Sequence, residues 1–507
     1  MTARVCLCLA ADTIAEDLRQ LEQYRRWIDM AELRVDRLRP EESAGAVRFP
    51  GLAGLPVILT VRKPRDGGRF EGSESERRAL LERLLPGGFS WVDLEEDLDA
   101  PSLDRRIAAV KGLRVVRSLH DLGGVPSDLA DRAARLARGP AEVAKVAVTP
   151  RSSTDLLAIL NASERLRGAD NVVLGMGDRG FATRVLAPKL GSSWCYTSPG
   201  ADAVAPGQVD PRTLVEVYRY RSIQQGTALF GVIGNPVMHS RSPLIHNRGY
   251  GALGMDAVYL PFLVSDLDEF WAVADSLDLR GLSVTVPHKE AVLKRLSTRD
   301  GLVEAAGACN TMVRRAGGET GGSDAGGRGA WAGTNTDSAG FLAPLRRLVG
   351  DTGLRGMSAT VVGAGGAARG VVHGLLSAGV RVLVLNRTSA RAAALARELG
   401  VEHAGLDAEG YERARRFGDL VVQCTSAGMG RDRSDPAAGL PFTGREIVYE
   451  LVYTPAVTPF LERARAAGCV LIHGRSMLVA QGIEQFRHFT GREYPSDLAA
   501  AIESEID

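Results

Sequence analysis

Cysteine and histidine are scarce, six and eight in 507 residues, and neither falls into a ligand pattern. Cys6, Cys8, Cys195, Cys309, Cys424 and Cys469 are scattered without a CxxC pair, and no HExxH occurs. A zinc ribbon, a zincin centre and a disulfide framework therefore lack support, and no metal is expected. Charge of one sign is lacking too, since 62 basic side chains face 61 acidic ones. That balance predicts neither a nucleic-acid nor a membrane-surface partner. No uninterrupted apolar run of about 18 residues is present to span a bilayer. The opening MTARVCLCLA holds one arginine and runs to Asp12 without a small-residue cleavage site, which predicts a first strand rather than a signal peptide. With reduced thiols, this predicts a cytoplasmic location. What remains is an ordinary globular composition, 45% apolar and 24% charged. At about 150 residues per domain, so long a chain should hold roughly three units.

From residue 3 to 197, short apolar runs alternate with helix-length segments: VCLCLA, MAELRVD, LPVILTVR, FSWVDLE, LRVVRSLH, EVAKVAVT, NVVLGMG and SSWCYTS. Eight strand candidates so spaced predict an α/β architecture beginning with a (β/α)8 TIM barrel over 1–222. Glu32, Arg34, Arg62, Asp93, Glu95, His120 and Lys145 gather toward the C-terminal ends of these runs, the face that carries active sites in such barrels. A helical stretch around 211–225 should close the domain. The chain restarts at Ala228 with LFGVIGNPV, opening a second α/β unit over 223–336. Within it, RAGGETGGSDAGGRGA (315–330) has no Lys-Ser/Thr end and no strand feeding it, so a flexible surface loop is predicted rather than a phosphate cradle. The third unit, 337–474, contains SATVVGAGGAARGVVHGLLSAGVRVLVLNRT, which reads as strand, glycine turn, helix and strand, the start of a Rossmann-type fold. Residues 475–507 are expected to form helices that return to the second unit.

In EVAKVAVT, alternation puts Val143, Lys145 and Ala147 on one face, so Lys145 points into the lumen or a helix layer. Either its stem packs and its head reaches the rim, or it is a desolvated amine able to form a Schiff base with a ketone. His120, at the end of the preceding strand candidate, would supply the proton transfer that an iminium needs. ELRVD, TVR, a DGG turn, VDLE, SLHDL, AKVAV, MGDRGFATR and APGQ occur in an order and spacing that resemble the type I 3-dehydroquinate dehydratases over residues 1 to about 220. The resemblance implies that Lys145 holds 3-dehydroquinate as an iminium while His120 removes the adjacent proton and then protonates the departing hydroxyl. It further implies that Glu32, Arg34 and Arg62 bind the substrate hydroxyls and that Arg184 and Gln208 hold its carboxylate. Two positions depart from the family: Asp66 stands where a glutamate usually orients the histidine, and Val204 where a serine is usual.

Downstream, HSRSP carries Ser240 and Ser242, the latter also suited to cap a helix. In GLSVTVPHK, Ser283, Thr285 and Lys289 share strand parity; GACNTM and GTNTDSAGF add Asn310 and Asp337, residues equally at home in turns. With GAGGAAR, NRT, CTSAGM, YTPAVTPF and GRSMLVAQG, these segments resemble the shikimate dehydrogenase family over 228 to about 495. That implies a proton-transfer pair of Lys289 and Asp337 at the C3 oxygen, with Ser240, Ser242, Thr285, Asn310 and Gln481 around the ring and carboxylate. The Gly363, Gly365 and Gly366 turn would admit a pyrophosphate to a helix N-terminus. Asn386, Arg387, Thr388 and Arg391 follow the second strand with no carboxylate among them, which favours NADP over NAD. The resemblance adds Ala364, Ala367, Thr425, Met429, Tyr453 and Gly474 to the cofactor contacts. Ser283, Gln423 and Glu450 depart from the usual Asn, Asn and Asp.

The two resemblances converge, because 3-dehydroshikimate is the product of the first reaction and the substrate of the second. Small acids are thus the expected partners. A quinate-specific enzyme fits less well given Ser242 and Thr285. A catalytically silent sensor would lack Lys145, His120, Lys289 or Asp337, and all four are present.

Overall fold

The computed structural model describes residues 3–98, 100–200, 207–315 and 329–506. Val204 and most of the glycine-rich 315–330 segment lie outside the described residues. Chain contacts define two compact units, Met1–Pro243 with Gly254–Leu279, and Leu244–Leu253 with Arg280–Asp507.

The first unit contains all eight anticipated strands: β1 (Arg4–Leu9), β2 (Met30–Arg34), β3 (Val57–Thr60), β4 (Trp91–Glu95), β5 (Arg114–Asp121), β6 (Glu142–Val148), β7 (Asn171–Gly175) and β8 (Trp194–Thr197). They pair in parallel in the order β7-β6-β5-β4-β3-β2-β1-β8, a nearly closed barrel. Alternation sorts β6 as its sequence requires. Val143 and Ala147 join Cys6, Met30, Ile58, Trp91 and Trp194 in the lumen, whereas Ala144, Val146 and Val148 meet Ile159 and Ala162 of the Ser153–Arg165 helix. Lys145 therefore projects inward, beside Ser118 of β5 and Val172 of β7. The surrounding helices start at side-chain caps: Ser73 and Glu76 form a reciprocal capping box, and Ser152 accepts from the Asp155 amide. The helix expected around 211–225 is shorter, a five-residue turn at Thr213–Val217 and a 3-10 turn at Tyr220–Ser222. Arg219, at φ 53°, interrupts the helical path between them. β9 (Ala228–Gly234) and β10 (Ala257–Leu263) follow as a parallel pair.

In the second unit, β11 (Leu279–Val284) pairs antiparallel with β13 (Thr311–Arg315), β13 with β14 (Ala330–Thr334), and β14 in parallel with β12 (Leu296–Arg299). A separate parallel sheet is built from β15 (Ser358–Val362), β16 (Arg381–Asn386), β17 (Glu402–Gly405), β18 (Leu420–Gln423), β19 (Ile447–Glu450) and β20 (Val470–Ile472). Its order, β17-β16-β15-β18-β19-β20, is that of a dinucleotide-binding fold, with the switch point between β15 and β18. The last segment is helical, Gly474–Thr490 and Ser496–Glu505. Gln485 of the longer helix bonds to Ser283 on β11 and to Asn310 and Thr311 at β13. Gly340 lets this helix come close to the Asp337–Val349 helix, since a Cβ there would stand 2.7 Å from Gln481.

Candidate active sites

A cavity of about 390 Å³ opens among the C-terminal strand ends of the barrel. Lys145, His120, Asp66, Glu32, Arg34, Arg62, Arg184 and Gln208, all anticipated from sequence, line it. At its base the Lys145 Nζ lies 2.8 Å from Asp93 Oδ2 and 3.3 Å from Glu32 Oε1, over the Tyr196 ring at 4.3 Å from the centroid. The ammonium is thus held by carboxylates on one side and an aromatic face on the other.

Asp93 is the hub. Its Oδ2 also accepts from Arg62 at 2.7 Å, and its Oδ1 from Ser118 at 2.6 Å. Burial would raise the Asp93 carboxyl, but the Arg62 guanidinium and the Lys145 ammonium outweigh it and hold the group well below the usual carboxylate range. Glu32 is likewise lowered against its burial, by Lys145 first and Arg34 next. Arg62 extends to Glu95 at 3.5 Å, and Glu95 is also gripped by Arg77 at 2.6 Å. Asp93 and Glu95 share lumen parity with Trp91, the signal that could have marked them as site residues rather than as charges at a strand end.

His120 is kept neutral, its imidazole pushed well below ordinary histidine values by burial, then by Arg62 and Lys145. Its Nδ1 lies 3.2 Å from an Arg62 nitrogen, so the guanidinium donates to Nδ1 and the ring hydrogen sits on Nε2. Asp66 lines the same cavity but pairs with Arg65 at 3.5 Å and Lys63 at 3.9 Å, and no hydrogen bond joins it to His120. Arg34 is held by Asp36 through two bonds of 2.9 and 2.8 Å. Arg184 is buried, which pushes its guanidinium down from the ordinary arginine value.

A second cavity, of about 780 Å³, is lined by Thr285, Lys289, Asp337, Gln481, Ala364, Gly365, Gly366, Ala367, Tyr453 and Gly474. Lys289 Nζ is 2.6 Å from Asp337 Oδ2, while Asp337 Oδ1 accepts from Asn310 at 2.8 Å and Gln481 at 3.0 Å. One carboxylate thereby fixes an ammonium and two amides from separate segments. Ser283 does not join them: β11 ends at Val284, its parity goes no further, and the Ser283 hydroxyl donates to Gln485 at 2.7 Å. Gln485, unmarked in sequence, anchors the Asn310 segment from behind. Ser240 and Ser242 belong to the first unit, where Ser240 Oγ accepts the Ser242 amide at 3.2 Å as a helix begins.

Gly363 adopts φ 119°, and a Cβ on it would stand 3.1 Å from the Thr425 side chain. Cβ atoms on Gly365 and Gly366 would meet nothing within 4 Å, so the turn offers open backbone to a diphosphate ahead of the Gly366–Ser377 helix. Asn386 bonds to the Thr388 carbonyl at 3.0 Å, and Arg387 and Arg391 are exposed without an ion pair among the described residues. Thr425 accepts from the Ala427 amide at 3.2 Å, and Met429 is 57% exposed. The longer side chains at Gln423 and Glu450 are accommodated: Gln423 bonds to the Thr425 and Ala427 carbonyls at 3.3 and 3.1 Å, and Glu450 accepts from Val452 and Thr458, each at 2.9 Å. Burial pushes the Glu450 carboxyl up to about 7. Among the described residues no helix is long and apolar enough to cross a membrane, and no group of three or more His, Cys, Asp or Glu is arranged to hold a metal.

A barrel with a buried lysine in its lumen and a dinucleotide-type sheet beside a Lys–Asp pair define a two-site enzyme with a lyase and an oxidoreductase centre. Family comparisons agree, matching residues 5–225 to type I 3-dehydroquinase, 232–312 to the shikimate dehydrogenase substrate binding domain, and 347–431 to shikimate/quinate 5-dehydrogenase. A chloroplastic bifunctional 3-dehydroquinate dehydratase/shikimate dehydrogenase of Arabidopsis thaliana is 30% identical over 99% of this chain and 84% of its own. A shikimate dehydrogenase (NADP(+)) of Oleidesulfovibrio alaskensis is 42% identical over 54% of this chain and 94% of its own. A solved shikimate dehydrogenase in complex with NADP+ superposes with a TM-score of 0.50 at 28% identity, covering 56% of this chain and 98% of that one. The chain belongs to the family of bifunctional 3-dehydroquinate dehydratase/shikimate dehydrogenases.

Proposed function

We propose that the barrel site converts 3-dehydroquinate to 3-dehydroshikimate through an iminium on Lys145 and that the second site reduces this product to shikimate with NADPH. The observation that carries the reading is one buried amine and one neutral imidazole sharing a 390 Å³ cavity with arginines. Lys145 attacks the ketone, water leaves, and the cationic iminium draws electrons from the adjacent C–H bond. His120 takes that proton and returns it to the departing hydroxyl, which leaves as water, and a second water then hydrolyses the product iminium to free 3-dehydroshikimate and Lys145. Its Nδ1 is engaged by Arg62 beforehand, so a substrate hydroxyl that draws Arg62 away frees the base as it binds. Arg184 and Gln208 hold the carboxylate, Glu32 and Arg34 the hydroxyls, and Asp66 the cavity wall.

In the second site Asp337 orients Lys289, whose ammonium protonates the C3 oxygen as the carbonyl is reduced. The dinucleotide supplies the hydride when bound. Thr285, Asn310 and Gln481 take the ring substituents and carboxylate. Gly363, Ala364, Gly365, Gly366 and Ala367 take the diphosphate; Arg387 and Arg391, with Asn386 and Thr388, favour the 2′-phosphate. Thr425, Met429, Tyr453 and Gly474 complete the nicotinamide side. We assign 1–222 to the dehydratase, 223–336 to substrate binding, 337–474 to the cofactor and 475–507 to the returning helices. The six unpaired cysteines suit a reducing compartment such as the cytoplasm. Borohydride added with 3-dehydroquinate should mark a single peptide containing Lys145, and a mark elsewhere refutes the assignment.

A further inference from the structure

A third cavity, of about 540 Å³, lies at the N-terminal ends of β15, β16, β18 and β19, where Ser358, Arg381, Asp419 and Glu446 stand. The Gly363–Gly366 turn is at the other end of β15, about 16 Å away for five residues of strand. Parallel sheets bind their nucleotides outside the C-terminal strand ends, so this cleft is not part of the dinucleotide crevice.

Its floor is apolar, formed by Ala414, Val421 and Leu440, and its rim is cationic. Arg415 pairs with Glu412 at 3.1 Å, but Arg381, Arg416 and Arg445 form no ion pair among the described residues. The wall's two carboxylates already have donors. Asp419 accepts the Ser358 amide and hydroxyl at 2.8 and 2.7 Å. Glu446 accepts the Thr443 hydroxyl at 2.8 Å and the amides of Thr443, Gly444 and Arg445 at 3.0 to 3.1 Å. Arg381 lies over the Phe417 ring at 5.4 Å, a contact that restrains its guanidinium plane. Three unpaired guanidiniums on an open convex surface would mean only solvated charge. Here they rim a concavity with an apolar floor, in the volume range of small-molecule sites.

We propose that this cleft binds a small organic phosphate, its phosphoryl group on the Arg381, Arg416 and Arg445 rim and its apolar body on the Ala414–Val421–Leu440 floor. Guanidinium forks match phosphoryl oxygens, and the cleft's four arginines outnumber its two carboxylates, which leaves it net positive.

The full chain, saturated with NADP+ and 3-dehydroshikimate to fill both active sites without net reduction, is titrated with phenyl phosphate and with inorganic phosphate, followed by calorimetry. Phenyl phosphate should bind at one site per chain, and inorganic phosphate should compete more weakly. Arg381→Gln/Arg416→Gln/Arg445→Gln should weaken phenyl phosphate at least tenfold while both enzyme activities stay at parent levels, which also reports that the variant is folded. Absence of saturable binding, an affinity in the variant within twofold of the parent, or inorganic phosphate binding as tightly as phenyl phosphate would each overturn the proposal, the last by reducing the cleft to an adventitious anion site.

Discussion

Replacing Asp93 with Asn exchanges one oxygen for an amide nitrogen and removes the charge on which the barrel site converges. The carboxylate is fully buried and contacts Lys145 at 2.8 Å and Arg62 at 2.7 Å, both side chains no more than 6% exposed. Removing the sole counter-ion of a buried charge costs about 3–5 kcal/mol. Here Glu32 remains 3.3 Å from Lys145 and Glu95 remains 3.5 Å from Arg62, longer contacts that recover part of it. A loss of about 2–4 kcal/mol is therefore expected. The pH dependence has a definite sign. Because the Asp93 carboxyl is held low in the folded chain, its contribution is present above the ordinary carboxylate range and is lost as pH falls below it. Asp93→Asn should thus destabilise the barrel at neutral pH and abolish that part of its acid sensitivity. Hydrogen exchange of peptides from β4 to β6 isolates the barrel from the second unit. Lys145 should also re-pair with Glu32, and a displacement of about 1 Å is enough to lower dehydratase turnover by roughly 10²-fold. Shikimate oxidation should be unchanged. Exchange protection within about 0.5 kcal/mol of the parent, with dehydratase turnover intact, would refute the idea that Asp93 is the counter-ion.

Three further outcomes are expected. Asp337→Asn leaves Lys289 without its carboxylate and should lower shikimate oxidation by about 10²-fold, leaving dehydration untouched; a turnover within twofold of the parent contradicts the dyad. Arg387→Gln with Arg391→Gln should raise the KM for NADPH by about tenfold or more while that for NADH holds, and equal KM values for the two cofactors in the parent would sink the assignment. Glu450, raised to about 7, binds its proton more tightly folded than unfolded, so its contribution is full below about 4.5 and is lost as pH rises through 7. Glu450→Gln should therefore narrow the difference in thermal stability between pH 5 and pH 8, and an unchanged difference would locate that pH dependence elsewhere.

Much of the architecture was legible because period and polarity agree. β6 alternates apolar residues on both faces with one lysine; parity grouped Lys145 with Val143 and Ala147, and the barrel turns that face, rather than the helix-side face, into the lumen. The glycine turn sits between β15 and a helix, as its pattern indicated. What escaped depends on closure of the chain upon itself. Asp93 is 52 residues from Lys145, and only the curvature of the barrel brings β4 within reach of β6 across the lumen. Nor does linear order tell that Arg62, rather than Asp66, meets the imidazole, because both follow β3 within six residues. Parity failed at Ser283 because the strand stops one residue later, and the helix before β9 was overestimated because nothing local marks the positive φ of Arg219. Gln485 looked like any polar residue of a C-terminal helix until its partners 174 and 202 residues away were in view.

The central claim is that two independent sites on one chain act in succession, and mixing two single-site variants tests it most directly. Neither Lys145→Ala nor Lys289→Ala alone should oxidise NADPH at an appreciable rate when supplied with 3-dehydroquinate. Their mixture should do so after a lag, because the second variant makes the 3-dehydroshikimate that the first reduces. Continued oxidation by either variant alone, or none by the mixture of two folded chains, would contradict the account.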